Sequence, residues 1–350
     1  MTKFLNDKFK SIAPYNTGGD IVPEGCIRLN TNENPYPPSP LALKRIQEIA
    51  QDMNYYCDPD CKKLAQKSSE IFRISPDEIL FGNGSDEILN FLFAAMCQNG
   101  AAFPDITYSF YKVLAEFHGV DVKIIPLKNF KIIPEDYFNL NSRTAFITNP
   151  NAPTGLALAI DDIKNILEHN PESLIVIDEA YVDFGASSCV DLIHEYNNLV
   201  IVRTFSKSRS LAGGRLGFCM ACKDLIQDLK NIKNSLAPYN INALTQAAGL
   251  GILEDEEYTR KNINEICKAR EFTKNELEKT GFNVLDSLTN FLFVRHEKFS
   301  GEFIFKELIK HKILIRHFNK PEIISDYNRI TIGTPEQMIL LLEALKNALR

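Results

Sequence analysis

Four short apolar runs in the middle of the chain constrain its fold more than any other feature. They occupy residues 145–148, 174–177, 199–203 and 216–221, and turn residues bound each of them. Apolar runs of this length without polar alternation are typical of strands buried on both faces of a sheet. Helical patterns separate several of the runs, so the sequence predicts an α/β fold with a mostly parallel sheet flanked by helices.

The last hundred residues begin with a long charged segment, and the short strand and helix patterns that follow predict a smaller α+β domain. The expected elements are an amphipathic helix at 255–279, strands near 291–295, 313–316 and 329–332, and a helix near 303–309. A capping box with proline at its first helical position, Thr334-Pro335-Glu336-Gln337, marks the start of a final helix.

A chain of 350 residues is too long for one small core, so more than one domain is expected. The first 40 residues are rich in Pro, Asn and Gly and are interpreted as an extended arm. The expected segments are an N-terminal arm with part of the small domain at 1–40, a large domain at 41–254 and a small domain at 255–350.

Charge and composition argue against several classes of partner. The chain has 39 Lys and Arg against 45 Asp and Glu, and the net charge of −6 disfavours nucleic acid and anionic membranes. No window is long and apolar enough to span a bilayer, and residues 1–8 lack a signal-peptide core, so we expect a cytoplasmic protein. Cys219 and Cys222 form a C-x-x-C pair, but on a predicted strand they would point to opposite faces. We therefore expect no metal or redox site there.

Lys207 is the first candidate for chemistry. It follows a predicted strand, with the hydroxyls of Thr204 and Ser206 before it and Arg215 eight residues beyond. An amine in this setting suits a Schiff base to pyridoxal phosphate (PLP), with groups that bind the phosphate close by. A solvated surface lysine is the alternative, and the local run alone does not separate the two.

Asp178 and Tyr181 lie at the end of another predicted strand. Ligands of open α/β sheets bind at the carboxyl ends of the strands, which is where Asp178 is expected. Its carboxylate can keep a pyridine nitrogen protonated, and Tyr181 can bond the phenolate oxygen of the same ring. The alternative is that Asp178 caps a helix and Tyr181 packs in the core.

A glycine-containing turn before a predicted helix at 88–97 can bind a phosphate. Gly84, Ser85 and Asp86 precede that helix, whose first N–H groups favour an anion. Gly82-x-Gly84 also suggests a dinucleotide site, but Glu87 stands where the third glycine would be. Ser85 is a good helix cap under either interpretation.

Two further features complete the set. Tyr108 can stack on a planar ring or pack as a core aromatic. The turn at 149–155, Asn-Pro-Asn-Ala-Pro-Thr-Gly, holds an asparagine as a second donor for a ring oxygen.

In chain order these features and their spacings resemble the fold-type I PLP-dependent aminotransferases. The matching motifs lie at 29–39, 56–60, 82–87, 149–155, 178–181, 204–218 and 329–336.

The resemblance implies PLP as the cofactor, with Lys207, Asp178 and Tyr181 as catalytic residues. The implied cofactor contacts also include Gly84, Ser85, Asp86, Tyr108, Asn151, Thr204, Ser206 and Arg215. Tyr56 would reach the phosphate from a neighbouring subunit, which implies a homodimer with shared active sites. The implied substrate contacts are Tyr15, Arg316 and Arg329.

The chain departs from the family pattern at two places. The family's asparagine directly before Pro-Thr-Gly is replaced by Ala152, which leaves open whether Asn151 replaces it. The arm tyrosine stands in Tyr55-Tyr56-Cys57, where either tyrosine can be the reaching residue, and the Asp-Pro-Asp that follows favours Tyr56.

The resemblance implies amino transfer between L-histidinol phosphate and 2-oxoglutarate, giving imidazole-acetol phosphate and L-glutamate, in histidine biosynthesis. We expect desolvation and Arg215 to lower the pKa of Lys207, so that its amine can act as a base. Alternatives that share the cofactor site are an aromatic amino-acid aminotransferase and a PLP-dependent decarboxylase of a phosphorylated amino acid. Alternatives of other classes are a non-catalytic PLP sensor and a nicotinamide dehydrogenase.

Overall fold

The protein forms two β-sheets with helices around them. A computed structural model describes residues 2–10, 12 and 25–349. Its strands are β1 (Ile27–Leu29), β2 (Ile79–Asn83), β3 (Ala101–Pro104), β4 (Val122–Ile125), β5 (Thr144–Thr148), β6 (Ile175–Asp178), β7 (Leu199–Thr204), β8 (Leu216–Ala221), β9 (Phe282–Val284), β10 (Phe291–His296), β11 (Ile313–His317) and β12 (Asn328–Thr331). Its α-helices are α1 (Pro40–Ile49), α2 (Lys62–Phe72), α3 (Ser85–Ala95), α4 (Phe110–His118), α5 (Ile160–Glu168), α6 (Lys223–Leu236), α7 (Ala243–Glu254), α8 (Glu256–Glu278), α9 (Gly301–Lys310) and α10 (Pro335–Ala348).

The larger sheet has seven strands in the order β2-β8-β7-β6-β5-β3-β4. Its strand pairs are parallel except for the two that β8 makes with β7 and β2. This is the mostly parallel, helix-flanked sheet that the apolar runs predict. Because β5, β6 and β7 are adjacent and parallel, their carboxyl ends meet at one edge, where the candidate residues lie.

The central strands of this sheet are buried on both faces. Every residue of β5, β6, β7 and β8 is buried. One apolar cluster includes Ile147, Ile177 and Ile201, and a second includes Phe146 and Val200, so the alternating side chains of each strand pack into different clusters. Burial on both faces explains why these strands read as unbroken apolar runs.

The smaller sheet has five strands in the order β1-β11-β12-β10-β9. All its pairs are antiparallel except β1 with β11, where Ile27 is level with Ile313. The predicted strands and helices of this region are present, and both halves of the capping box between Thr334 and Gln337 are formed.

The segment after Gly25 differs from the extended arm that its composition predicts. It contributes β1, and the side chains of Leu29, Asn30 and Asn32 are each 1% exposed. Asn32 is buried here because its backbone N–H donates to Thr331 Oγ1 of the smaller sheet and its Oδ1 accepts from that hydroxyl, which composition cannot reveal. Within the described ranges, no helix has the length and apolarity needed to cross a bilayer.

Candidate active site

Lys207 lies just beyond the carboxyl end of β7 and lines a cavity of about 360 Å³. Its Nζ donates to the carbonyl of Thr31 at 3.0 Å and lies 5.9 Å from the ring centroid of Tyr181. Burial and the positive charge of Arg329 lower the pKa of the Lys207 ammonium to about 8. Arg215 contributes in the same direction but less than Arg329, so the main cationic neighbour differs from the one that the sequence predicts.

Asp178 is the last residue of β6 and is 3% exposed. Its Oδ2 accepts a hydrogen bond from Tyr111 Oη at 2.9 Å, and its Oδ1 accepts one from the N–H of Ala180 at 3.1 Å. Burial raises the pKa of this carboxyl to about 6, although the two hydrogen bonds act to lower it. The result is a buried acid that is ready to ionise beside a cation.

Tyr181 lines the same cavity, and its hydroxyl is held from behind. Nδ2 of Asn32 donates to Tyr181 Oη at 2.9 Å, and the ring packs edge-on against Phe291 at 5.1 Å. Burial raises the pKa of the Tyr181 phenol, so the hydroxyl keeps its proton. Since Asn32 is the donor, the phenolic hydrogen is free to point to another acceptor.

The start of α3 forms one wall of the cavity. Ser85 and Asp86 are its first residues and both line the cavity. Gly84 precedes them with φ +75°, and a Cβ at this position would lie 2.5 Å from Nη2 of Arg215. A side chain at Gly84 would therefore strain the left-handed backbone and displace the Arg215 guanidinium. Gly84, rather than Ser85, is the residue that caps this helix.

Arg215, Asp86 and Tyr108 are joined in one polar network. Arg215 Nη2 lies 2.9 Å from Asp86 Oδ2, and Tyr108 Oη donates to Asp86 Oδ1 at 2.9 Å. Arg215 Nη1 also reaches Ser206 Oγ at 3.5 Å. Arg215, Ser206 and Thr204 place donors beside the helix start, an arrangement suited to a phosphate, and the Asp86 carboxylate holds the Arg215 guanidinium there.

Asn151 is not brought to the cavity. Its Nδ2 donates to Ile106 O at 3.0 Å and to Thr154 Oγ1 at 3.1 Å, while its Oδ1 accepts from Thr107 Oγ1 at 3.0 Å. These bonds hold the turn together, and the next residue, Ala152, lines the cavity instead. In this structure Asn151 therefore does not replace the asparagine that Ala152 displaces.

Arg316 and Arg329 face each other across two antiparallel strands. They are paired residues in the register of β11 and β12, so their side chains share one face of the sheet. Arg329 Nη2 donates to the carbonyl of Asn30 at 2.9 Å. Neither arginine belongs to the wall of the cavity around Lys207, but Arg329 is close enough to influence the pKa of that lysine.

Two further predicted residues lie away from this cavity or outside the described chain. Tyr56 is 84% exposed and does not line the cavity of its own subunit. Tyr15 lies outside the described residues. The predicted residues that do line the cavity are Ser85, Asp86, Tyr108, Asp178, Tyr181, Thr204, Ser206, Lys207 and Arg215.

Sequence reasoning misses three residues that contact the catalytic groups. Tyr111 is 0% exposed and binds Asp178, Asn32 binds Tyr181, and Thr31 accepts from Lys207. The only signal for Tyr111 is its place three residues after Tyr108, at the start of α4. For Thr31 and Asn32 the signal is the asparagine-rich motif itself.

The residues around the cavity fit PLP. The volume of the cavity, about 360 Å³, is within the range of small-ligand pockets. A phosphate matches the guanidinium and hydroxyls at the start of α3, a protonated pyridine nitrogen matches the buried Asp178, and an aldehyde carbon matches the Lys207 amine. Among the described residues, no cluster of three or more His, Cys, Asp or Glu side chains could hold a metal ion.

Comparisons with known proteins agree with this chemistry. Residues 24–345 match the family model of class I and II aminotransferases. The chain is 45% identical to a histidinol-phosphate aminotransferase of Brachyspira hyodysenteriae, with 99% of each chain covered. It is 42% identical to that of Clostridium botulinum strain Okra, covering 99% of this chain and 98% of the relative.

A solved structure is similar over the whole chain. It is histidinol-phosphate aminotransferase from Sinorhizobium meliloti in complex with pyridoxal-5'-phosphate, with a TM-score of 0.90 and 23% identity, covering 100% of this chain and 98% of that one. At this identity the similarity establishes the fold. The site geometry, the family model and the full-length relatives lead to one conclusion: the chain belongs to the histidinol-phosphate aminotransferase family of PLP-dependent class I and II aminotransferases.

Proposed function

We propose that the protein transfers an amino group between L-histidinol phosphate and 2-oxoglutarate, giving imidazole-acetol phosphate and L-glutamate, in histidine biosynthesis. The observation that carries the proposal is the position of Lys207. Its amine has a pKa lowered to about 8 and shares a cavity with the buried acid Asp178 and the guanidinium of Arg215. The full-length relatives named above support the choice of substrate.

The proposed cofactor site uses groups from three strand ends and one helix start. The phosphate would be held by the backbone of Gly84, Ser85 and Asp86, the hydroxyls of Thr204 and Ser206, and Arg215. When bound, PLP supplies an aldehyde that can join an amine and a pyridine ring that withdraws electrons from it. Tyr108 would lie against the ring, and Tyr181 would donate to its phenolate oxygen.

Lys207 is the proposed proton carrier of the reaction. An ordinary lysine amine has a pKa of about 10.4 and is almost fully protonated at neutral pH. Burial and Arg329 lower that pKa to about 8 in this site. A larger share of Nζ is then neutral and can take a proton from the substrate Cα and return it. The Thr31 carbonyl, 3.0 Å away, gives Nζ a resting partner.

Asp178 is proposed to hold a positive charge on the pyridine nitrogen. The Tyr111 hydroxyl and the Ala180 N–H fix both carboxylate oxygens, so the group is oriented before anything binds. A cation beside Asp178 would offset the burial that raises its pKa to about 6.

Arg316 and Arg329 are proposed to bind the anionic end of either substrate. L-Histidinol phosphate has a phosphate and no carboxylate, whereas glutamate has two carboxylates. A guanidinium matches the geometry of both anions, so one arginine pair can serve both half-reactions. By resemblance, Tyr15 would close over the substrate.

We further propose a cytoplasmic homodimer in which Tyr56 completes the partner's phosphate site. Five large apolar or aromatic side chains in and beside the segments 53–56 and 236–239 are exposed by 47% to 84%, and such a cluster is typical of an interaction surface: Met53, Tyr55, Tyr56, Leu236 and Tyr239. A second copy would cover them. The proposed segments remain 1–40, 41–254 and 255–350, with β1 as the part of the first segment that joins the smaller sheet.

The proposal is tested by comparing half-reactions of the PLP-loaded protein with L-histidinol phosphate, phenylalanine and threonine phosphate. The proposal predicts that histidinol phosphate removes the absorbance of the lysine-bound cofactor at lower concentration than the other two. A Lys207→Ala protein is the control that should give no such change. Preference for phenylalanine would indicate an aromatic aminotransferase, and release of carbon dioxide from threonine phosphate would indicate a decarboxylase.

A further inference from the structure

Two surface loops meet beside Tyr56. The Tyr56 loop (residues 54–60) leads into α2, and the Tyr239 loop (residues 237–242) joins α6 to α7. The rings of Tyr56 and Tyr239 stack with centroids 4.5 Å apart and planes 22° from parallel. Tyr56 is 84% exposed and Tyr239 is 47% exposed, so this stacked pair projects from the surface of the subunit.

A buried ammonium lies beneath this pair of loops. Lys233, near the end of α6, is 1% exposed. Its Nζ donates to the carbonyl of Pro59 at 2.6 Å and to the carbonyl of Pro238 at 3.2 Å. Pro59 belongs to the Tyr56 loop and Pro238 to the Tyr239 loop, so one side chain binds both.

Burying a lysine is costly unless its hydrogen bonds are satisfied. Burial lowers the pKa of the Lys233 ammonium, while the charge of Asp60 acts to raise it. A neutral apolar side chain would fill the space at α6 without this cost. The ammonium is therefore better explained by what it holds, which is the pair of loop carbonyls.

A second group makes the same connection. Nε2 of Gln246, in α7, donates to Asp58 O at 2.9 Å and to Ile241 O at 3.0 Å. Lys233 and Gln246 thus bind successive carbonyls of the Tyr56 loop and also bind the Tyr239 loop. Since neither side chain lines the cavity around Lys207, their effect on chemistry cannot be direct in their own subunit.

We infer that Lys233 is a positioning residue for the neighbouring subunit's active site, where it holds the Tyr56 loop so that Tyr56 reaches the partner's cofactor phosphate. The inference rests on the proposed homodimer with shared sites. It predicts that losing the Lys233 ammonium weakens PLP binding in the other subunit and leaves the binding in its own subunit unchanged.

Hybrid dimers separate these two effects. In the first hybrid, an unchanged subunit is paired with a Lys207→Ala, Lys233→Met subunit. In the second, a Lys233→Met subunit is paired with a Lys207→Ala subunit. Both are isolated by two different affinity tags on the two chains. The visible absorbance of the lysine-bound cofactor arises only at the subunit that keeps Lys207, so a PLP titration followed in the visible measures one site.

In the first hybrid the measured site faces the altered loop, and its PLP dissociation constant should rise roughly tenfold, the equivalent of losing one well-placed hydrogen bond to a charged group. In the second hybrid it should match that of a hybrid with Lys207→Ala alone. Weaker PLP binding in the second hybrid only, or in neither hybrid, would overturn the inference. Both hybrids carry the same two substitutions, so a general folding defect would weaken them equally and would also count against it.

Two further hybrids complete the test. Lys223→Met is the matched control, because Lys223 is also on α6 but is exposed and pairs with Asp77; it should have no effect in trans. Tyr56→Phe in trans should weaken PLP binding as Lys233→Met does. If Tyr56→Phe has no effect in trans, Tyr56 does not complete the partner's site, and the role of Lys233 is overturned with it. If Lys233→Met does not fold, Lys233→Gln, which keeps a shorter donor, takes its place with a smaller expected effect in the same hybrid.

Discussion

Replacing Asp178 with asparagine should make the cofactor-free protein more stable while weakening its hold on PLP. Asp178 is 3% exposed, and burial raises its pKa from 3.8 to about 6 despite hydrogen bonds from Tyr111 and Ala180. At pH 7 the empty protein therefore carries a buried carboxylate whose charge opposes folding. An amide at this position has no charge, and its oxygen can still accept from the Ala180 N–H.

The size of the effect follows from the pKa of Asp178. A rise from 3.8 to about 6 corresponds to about 3 kcal/mol, at about 1.4 kcal/mol per pKa unit. The folded pKa lies above the unfolded one, so this cost is absent below about pH 4, grows through about pH 6 and is complete above it. The Asp178→Asn protein avoids the cost, and the expected gain at pH 7 is up to about 3 kcal/mol, or about 4 °C in Tm for a chain of this size.

Denaturant unfolding of the cofactor-free protein at pH 7 and at pH 4 measures this gain. Asp178→Asn should be more stable than the unchanged protein at pH 7 and equal to it at pH 4, and its PLP dissociation constant should rise. Asp183→Asn is the matched control, for which the expected change in stability at pH 7 has the opposite sign. Although burial acts to raise the pKa of Asp183, Arg203 and Arg209 hold it below its ordinary value, so this variant should lose stability at pH 7. Equal stability of Asp178→Asn and the unchanged protein at pH 7, or a gain that persists at pH 4, would refute the reasoning.

Four further outcomes are expected. Arg329→Ala should raise KM about tenfold to a hundredfold for both histidinol phosphate and glutamate, the cost of one charged hydrogen-bonding group; a selective effect on one substrate would contradict a shared anion site. The rate of PLP capture should rise with pH as Lys207 loses its proton, with a midpoint at about pH 8, and Arg329→Ala should move that midpoint upward because Arg329 lowers the pKa of Lys207. Lys207→Ala should abolish turnover yet still bind PLP through the phosphate, as measured by equilibrium dialysis. Asn151→Ala should cost about 1 to 3 kcal/mol of unfolding free energy, because it frees buried partners, and should leave the PLP dissociation constant within about twofold.

The fold could be predicted where burial alone decides it. Strands β5, β6, β7 and β8 are buried on both faces, so each reads as an apolar run, and the predicted bounds differ from the observed ones by one residue at most. The edge strand β4 is only partly buried, with the pattern of a surface segment, and no apolar run marks it. Strand β1 is three residues long and is defined by its pairing with β11, nearly 300 residues away in the chain, which local pattern cannot reveal.

The catalytic residues could be predicted where they lie at the carboxyl ends of strands. Asp178 ends β6 and Lys207 follows β7, and because ligands of such sheets bind at the carboxyl ends of the strands, each could be identified from its place after an apolar run. The contacts that tune them are not local: Asn32 and Tyr181 are 149 residues apart, and Tyr111 and Asp178 are 67 apart. The role of Asn151 could not be predicted from its place in the turn. Its neighbour Ala152 lines the cavity, while the side chain of Asn151 holds the turn together.

The most direct test of the central claim is the fate of the amino nitrogen. PLP-loaded protein is mixed with ¹⁵N-amino-labelled L-histidinol phosphate and 2-oxoglutarate, and glutamate is analysed by mass spectrometry, with a Lys207→Ala protein in parallel. The account predicts labelled glutamate in amounts equal to the imidazole-acetol phosphate formed, and none from Lys207→Ala. Absence of labelled glutamate from the unchanged protein, or its formation by Lys207→Ala at an equal rate, would contradict the account.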